Sequence, residues 1–208
     1  MVREKKIWKN YYDIVILPPK DLADYARRLS AQFPKNKIKW RLGKKTFLPH
    51  VSLYHIPVRP EKLEEFIRVI ERIVKSIGPG TLQTTTTERE LLLMLSKPDW
   101  LKKLYLKVVK NALPYFDWSY EVEKYWNINR LPPRMRKTGI RFLRKYGTPM
   151  IGLNYRPHIT LTMLKDGPPQ KYSVSKVKYF KFRPKSLFIC ELGPSHSCQR
   201  IVKEINFK

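Results

Sequence analysis

Two hydrophobic periods run through this chain. Alternation or short apolar runs mark strands at 12–17 (closed by Pro18-Pro19), 46–58, 81–87, 90–96, 151–164, 175–182, 186–192 and 201–207. Apolar residues recurring at threes and fours mark helices between them. Leu22, Tyr25, Ala26 and Leu29 define one that Asp21 caps and that runs to about Gln32. Leu63, Phe66, Ile67, Ile70 and Ile73 define a second, from Glu61 to Ile77, stopped by Gly78-Pro79-Gly80. Pro98 opens a third, capped from Ser96 or Lys97 and reaching Leu113, and Pro132-Pro133 starts a fourth that ends near Tyr146. Strands and helices interleave, and several neighbouring strands are joined by short turns. That order predicts an α+β fold with antiparallel sheets rather than a doubly wound parallel sheet. No Pro/Ser linker interrupts it, so residues 1–208 are expected to form one unit.

Composition adds two constraints. Hydrophobic residues make up 42% of the 208 and are spread along the whole length, which is enough for a packed core. No apolar run approaches the roughly 18–20 residues of a membrane helix, and the stretch 14–17 is too short for a signal-peptide core. With two cysteines there is no disulfide framework, so the expected compartment is the reducing cytoplasm. The expected state is a monomer. The larger change comes from charge. Forty-three Lys and Arg against 17 Asp and Glu give a formal +26, a field that favours polyanions such as RNA. Twelve Tyr and five Trp add surfaces on which unpaired bases stack.

Within this pattern one segment recurs. Pro49-His50-Val51-Ser52-Leu53 reappears as Pro157-His158-Ile159-Thr160-Leu161, one copy in each half of the chain. In an extended strand residues i and i+2 share a face, so His50 goes with Ser52 and His158 with Thr160. Two imidazoles and two hydroxyls suit phosphodiester chemistry. Imidazole, with an unperturbed pKa near 6.5, serves as base for an attacking oxygen and as acid for a leaving one. The hydroxyls and nearby cations stabilise charge on the non-bridging oxygens, with no cofactor or metal required. His158 is expected as the base and His50 as the acid in hydrolysis. The same alternation places Tyr54 on the His50 face as a base platform at the cleft rim. It also sets Arg156 and Thr162 beside His158 and Thr160, with Arg156 as a phosphate clamp. Tyr12 is a further base platform.

The motif pair resembles that of the 2H phosphoesterase superfamily, whose members include bacterial RNA 2′,3′-cyclic phosphodiesterases once named 2′-5′ RNA ligases. The resemblance rests on His50-Val51-Ser52-Leu53 and His158-Ile159-Thr160-Leu161, with Ser52 where Thr is more common. It implies a bilobal pseudo-twofold fold, two antiparallel sheets flanking a central cleft with helices outside. The catalytic roles it carries over fall on His50, Ser52, His158 and Thr160 alone. It implies action on 2′,3′-cyclic phosphate ends of RNA, leaving a 2′-phosphate, or on 2′-5′-linked oligonucleotides. Other readings stay open: ligation by the same site in reverse, cleavage of oligonucleotide immune signals, and RNA binding without catalysis.

Three further features complete the reading. His55 falls on the opposite face, beside Val51 and Leu53, and is expected to pack or to sit at a strand end. Cys190, His196 and Cys198 resemble part of a zinc site but have no second ligand pair. On the fourth helix Arg134, Arg136 and Arg141, with Lys137, Arg144 and Lys145, surround a thin apolar stripe of Met135, Ile140 and Leu143. They read as a phosphate-binding arm beside the cleft.

Overall fold

Strand Tyr11–Ile16 is buried at every position, as a strand inside a sheet with both faces covered must be. It is β1 of a computed structural model that describes residues 9–88, 91–120, 126, 131, 133–165 and 177–208. After it come α1 (Lys20–Ala31), β2 (Ile38–Arg41), β3 (Val51–Pro57), α2 (Leu63–Lys75), β4 (Leu82–Glu88) and β5 (Leu92–Leu95). Then follow α3 (Asp99–Ala112), α4 (Pro133–Tyr146), β6 (His158–Thr160), β7 (Thr162–Leu164), β8 (Lys181–Phe182), β9 (Ser186–Gly193) and β10 (Ser197–Asn206). The fold is α+β and its strand pairs are antiparallel, as expected.

The helices stand where the three-to-four spacing put them. α2 buries Phe66, Ile67, Ile70, Ile73 and Val74, and α3 buries Leu101, Leu104, Tyr105, Val108, Val109 and Ala112. Each such large apolar side chain contributes about 1.5–3 kcal/mol of transfer free energy. α4 stops at Gly147, whose φ of 69° is open to glycine and whose N–H bonds the Leu143 carbonyl at 2.8 Å. The expected caps differ. Pro19 precedes α1 and Pro98 precedes α3, neither with a side-chain cap. Asp21 lies in the first turn of α1, where its carboxylate accepts the Leu22 N–H at 2.8 Å. Lys97 turns away and donates to the carbonyls of Gly152 (3.0 Å) and Tyr155 (2.7 Å).

Eight strands form one sheet in the order β10-β9-β1-β3-β6-β5-β4-β8, and β2 pairs with β7 in a second, two-stranded sheet. The motif strands β3 and β6 therefore meet at the centre, joined through Val51 opposite Ile159. The two halves of the sheet do not coincide with the two halves of the chain. β9 and β10 return to flank β1, so one half of the sheet draws on residues 11–57 and 186–206.

Several strands depart from the sequence expectation: β3 begins only at Val51 rather than at 46, and β2 lies where no strand was expected. The stretch 151–164 is not one strand: Gly152–Asn154 is a 3-10 turn, and the chain changes sheets at Leu161. Leu161 gives its N–H to the Leu91 carbonyl at 2.8 Å, after which Thr162 is buried and bonds the Trp40 carbonyl at 2.5 Å. Thr162 thus leaves the face of His158. In β3 the pairing with β1 skips Leu53, because Val15 faces Ser52 while Ile14 faces Tyr54. This β-bulge resets the alternation and re-aims the side chains that follow.

Candidate active site

Ser52 and Val15 form one cross-strand pair, and His55 and Asp13 another. With Leu53 as the extra residue, Ser52 and His55 share a face and Tyr54 turns with Ile14 into the core. The sequence expectation for both residues is therefore reversed. His55 joins the site, while Tyr54 still borders the cavity over this face but is 2% exposed and donates its hydroxyl to the Tyr146 carbonyl at 2.6 Å. Burial raises the Tyr54 pKa far above its ordinary value. Tyr12 also points into the core, opposite Ile56 on the far side of β1 from Asp13, so it offers no surface to a base here.

A cavity of about 220 Å³ lies over this face, and all four histidines of the chain line it: His50, His55, His158 and His196. Ser52, Thr160 and Arg156 line it as well. The register at the seam explains the grouping. With Val51 opposite Ile159 in an antiparallel pair, one step either way sets His50 across from Thr160 and Ser52 across from His158. The two imidazoles are held alike. Nδ1 of His50 bonds the Leu48 carbonyl at 2.7 Å, and Nδ1 of His158 bonds the Arg156 carbonyl at 2.7 Å. A carbonyl only accepts, so each Nδ1 carries the proton and each neutral ring presents Nε2 as the base. Burial lowers the pKa of His50 in spite of the Asp13 carboxylate, whose Oδ2 is 3.5 Å from its Nε2.

Asp13 is fully buried, and no motif in the sequence singles it out. Its Oδ2 accepts the Ser52 hydroxyl at 2.6 Å and Nε2 of His55 at 3.1 Å. His55 stacks on His196 with ring centroids 5.1 Å apart and an interplanar angle of 10°, and Trp126 packs against both rings. His196 reaches the cavity from the turn between β9 and β10, where Ser195 (φ 60°) and His196 (φ 58°) both take the left-handed conformation. Burial first, and His55 second, push the His196 pKa well below its usual range. On another side of the cavity Trp40 and Phe47 stack at 5.6 Å. Tyr155 ties the two motif copies together, its hydroxyl donating to the Ser52 carbonyl at 3.2 Å while its ring stacks on Tyr105 at 4.0 Å.

The remaining expectations lie farther out. Arg136 and Arg141 on α4 are not in the cavity wall. Nε of Arg136 bonds the Leu131 carbonyl at 3.1 Å, and Arg141 is exposed over the Phe142 ring. The Arg134 side chain is outside the described residues. The helix does lead toward the site, since Thr148 and Met150, just past its end, line the cavity. Cys190 and Cys198 are buried free thiols in hydrogen-bond contact, which raises the Cys190 pKa. Among the described residues no group of three or more His, Cys, Asp or Glu is placed to hold a metal ion, and no helix is long and apolar enough to cross a membrane.

The antiparallel sheet, with the two motif strands side by side at its middle, has a LigT-like fold. Solved structures share it over nearly the whole chain. A phosphoesterase superposes with a TM-score of 0.60 at 13% identity, covering 96% of this chain and 98% of its own. E. coli LigT complexed with NADP+ gives 0.59 at 13% identity (95% and 98%), and TT0787 of Thermus thermophilus gives 0.58 at 13% (95% and 97%). LigT has also been solved with 3′-AMP. These likenesses are of fold. No family model and no curated protein matches the sequence.

Proposed function

We propose that this protein is a phosphodiesterase that opens 2′,3′-cyclic phosphate ends of RNA or cleaves 2′-5′-linked oligonucleotides in the cytoplasm. The observation that carries the reading is the matched pair of imidazoles, both locked in the same tautomer by a carbonyl 2.7 Å from Nδ1, on strands joined at the seam. Two such groups supply both proton transfers that the reaction needs, without a metal-bound nucleophile.

In hydrolysis of a cyclic end, a water gives a proton to Nε2 of one histidine while its oxygen bonds to phosphorus. The P–O3′ bond breaks, and O3′ takes a proton from Nε2 of the other, protonated histidine, leaving a 2′-phosphate. The lowered pKa of His50 favours it as the neutral base, with His158 as the acid. This is the reverse of the order expected from the sequence. Ligation would run the same transfers backwards. Arg156 supports the negative phosphate from the cavity wall.

The test is a substrate panel with product mapping on EDTA-treated protein: 2′,3′-cyclic nucleotides, cyclic-ended RNA, 2′-5′ oligoadenylate and cyclic oligonucleotides. His50→Ala and His158→Ala are each expected to lower turnover at least about 10²-fold while RNA affinity holds. Full activity in both variants would overturn the assignment, and loss of wild-type activity in chelator would point to a metal.

A further inference from the structure

The two motif copies share a sequence pattern and a tautomer, but their hydroxyls are not equivalent. Ser52 spends its hydroxyl proton on Asp13, at 2.6 Å, so Oγ can only accept, with Nε2 of His55 at 3.2 Å on one side and a lone pair left toward the cavity. Among the described residues the Thr160 hydroxyl has no hydrogen-bond partner, so its proton remains available to an incoming oxygen. The difference comes from one buried carboxylate. Asp13 Oδ1 also lacks a partner among the described residues, and the nearest group able to take up positive charge, besides His55, is His50 at 3.5 Å. That distance is too long for a good hydrogen bond but short for a charge interaction.

We infer that Asp13 is a positioning residue that divides the labour of the site, giving the first copy to the attacking oxygen and the second to the phosphate. The inference rests on the phosphodiesterase reading above. By holding the Ser52 proton, Asp13 makes Oγ an acceptor for one hydrogen of the attacking water, whose other hydrogen goes to His50. Its charge stabilises the imidazolium that forms there. The same charge repels a phosphate from the Ser52 side and leaves it to the Thr160 hydroxyl, His158 and the Arg156 guanidinium. His55 supports the arrangement as a second donor to the carboxylate, its ring stacked on His196 with Trp126 against both. The two left-handed residues that present His196 are costly for side chains larger than glycine, a strain that recurs at functional sites.

The titratable and charged groups around His50 are Asp13 on β1 and His55 on β3, which with burial and the Leu48 carbonyl set its protonation, and His196, Arg156 and His158, which line the same cavity. Of these Asp13 alone is an acid. The experiment is an NMR titration of the imidazoles, without substrate, in wild type and Asp13→Asn. The His50 midpoint is expected to fall by about 1 pH unit in the variant, the size of effect an adjacent opposite charge has; a midpoint that stays or rises overturns the inference. Should Asp13→Asn not fold, Ser52→Ala frees the carboxylate toward His50. Its midpoint is then expected to rise, and an unchanged one is equally fatal. With a 2′,3′-cyclic nucleotide, the acidic limb of the kcat/KM profile is expected to move with the NMR midpoint in Asp13→Asn. A lower rate with an unmoved limb would mean that Asp13 is only structural. Wild-type protein that turns over no phosphodiester would sink the phosphodiesterase reading, whereas the titration stands or falls on Asp13 itself.

Discussion

At the scale of single residues, burial keeps two of the site's imidazoles neutral. His50 and His196 both have pKa values depressed mainly by desolvation, and the unfolded chain has no such restraint. The unfolded state therefore binds more protons below about pH 6.5. Stability from these groups is complete above that value and is lost as pH falls through it toward the depressed folded values. Denaturant midpoints are expected to drop between pH 7 and pH 5. His196→Asn should flatten that drop, because Asn tolerates the left-handed backbone at this position and does not titrate. Equal slopes in variant and wild type would show that His196 carries no part of it. Asp13 acts at the same scale. A lone carboxylate inside Tyr11–Ile16 was the one sequence signal that pointed to it, since a charge in an otherwise apolar strand must have partners.

At the scale of elements, legibility followed the range of the cause. Helix α2 was readable because its apolar stripe is written in its own thirteen residues. The bulge at Leu53 was not, because it exists only in the pairing of β3 with β1; hence Tyr54 and His55 exchanged faces. The break at Leu161 was hidden for the same reason, since the strand changes sheets to meet β2. That partner is the short and half-charged Ile38-Lys39-Trp40-Arg41. The motif residues themselves were legible, because strand alternation holds over the two positions from each imidazole to its hydroxyl. The seam where those strands meet is narrow. Ile159 is fully buried opposite Val51, and Ile159→Ala is expected to cost about 2–5 kcal/mol. Urea unfolding measures this, and a loss under about 1 kcal/mol would mean that the two halves of the sheet are held together elsewhere.

At the scale of the whole molecule, charge and topology matter most. The formal +26 has to act through particular surfaces, and α4 offers one that leads to the cavity. Arg141 and Lys145 are exposed there, each over an aromatic ring of its own helix. Reversing both to Glu is expected to weaken binding of single-stranded RNA and to flatten its dependence on salt, by about 0.7 in log–log slope for each phosphate no longer neutralised. An unchanged slope would return the helix to the role of a solvated face. Topology has a consequence in time. The Asp13 strand is flanked on one side by β3, made early, and on the other by β9, made some 130 residues later. At about 5–20 residues per second, a nascent chain would carry β1 with one edge unpaired and its carboxylate in water for several seconds or more. The first motif copy would thus exist long before its acceptor geometry, and the candidate site would be complete only when β9 pairs with β1 and brings in the β9–β10 turn.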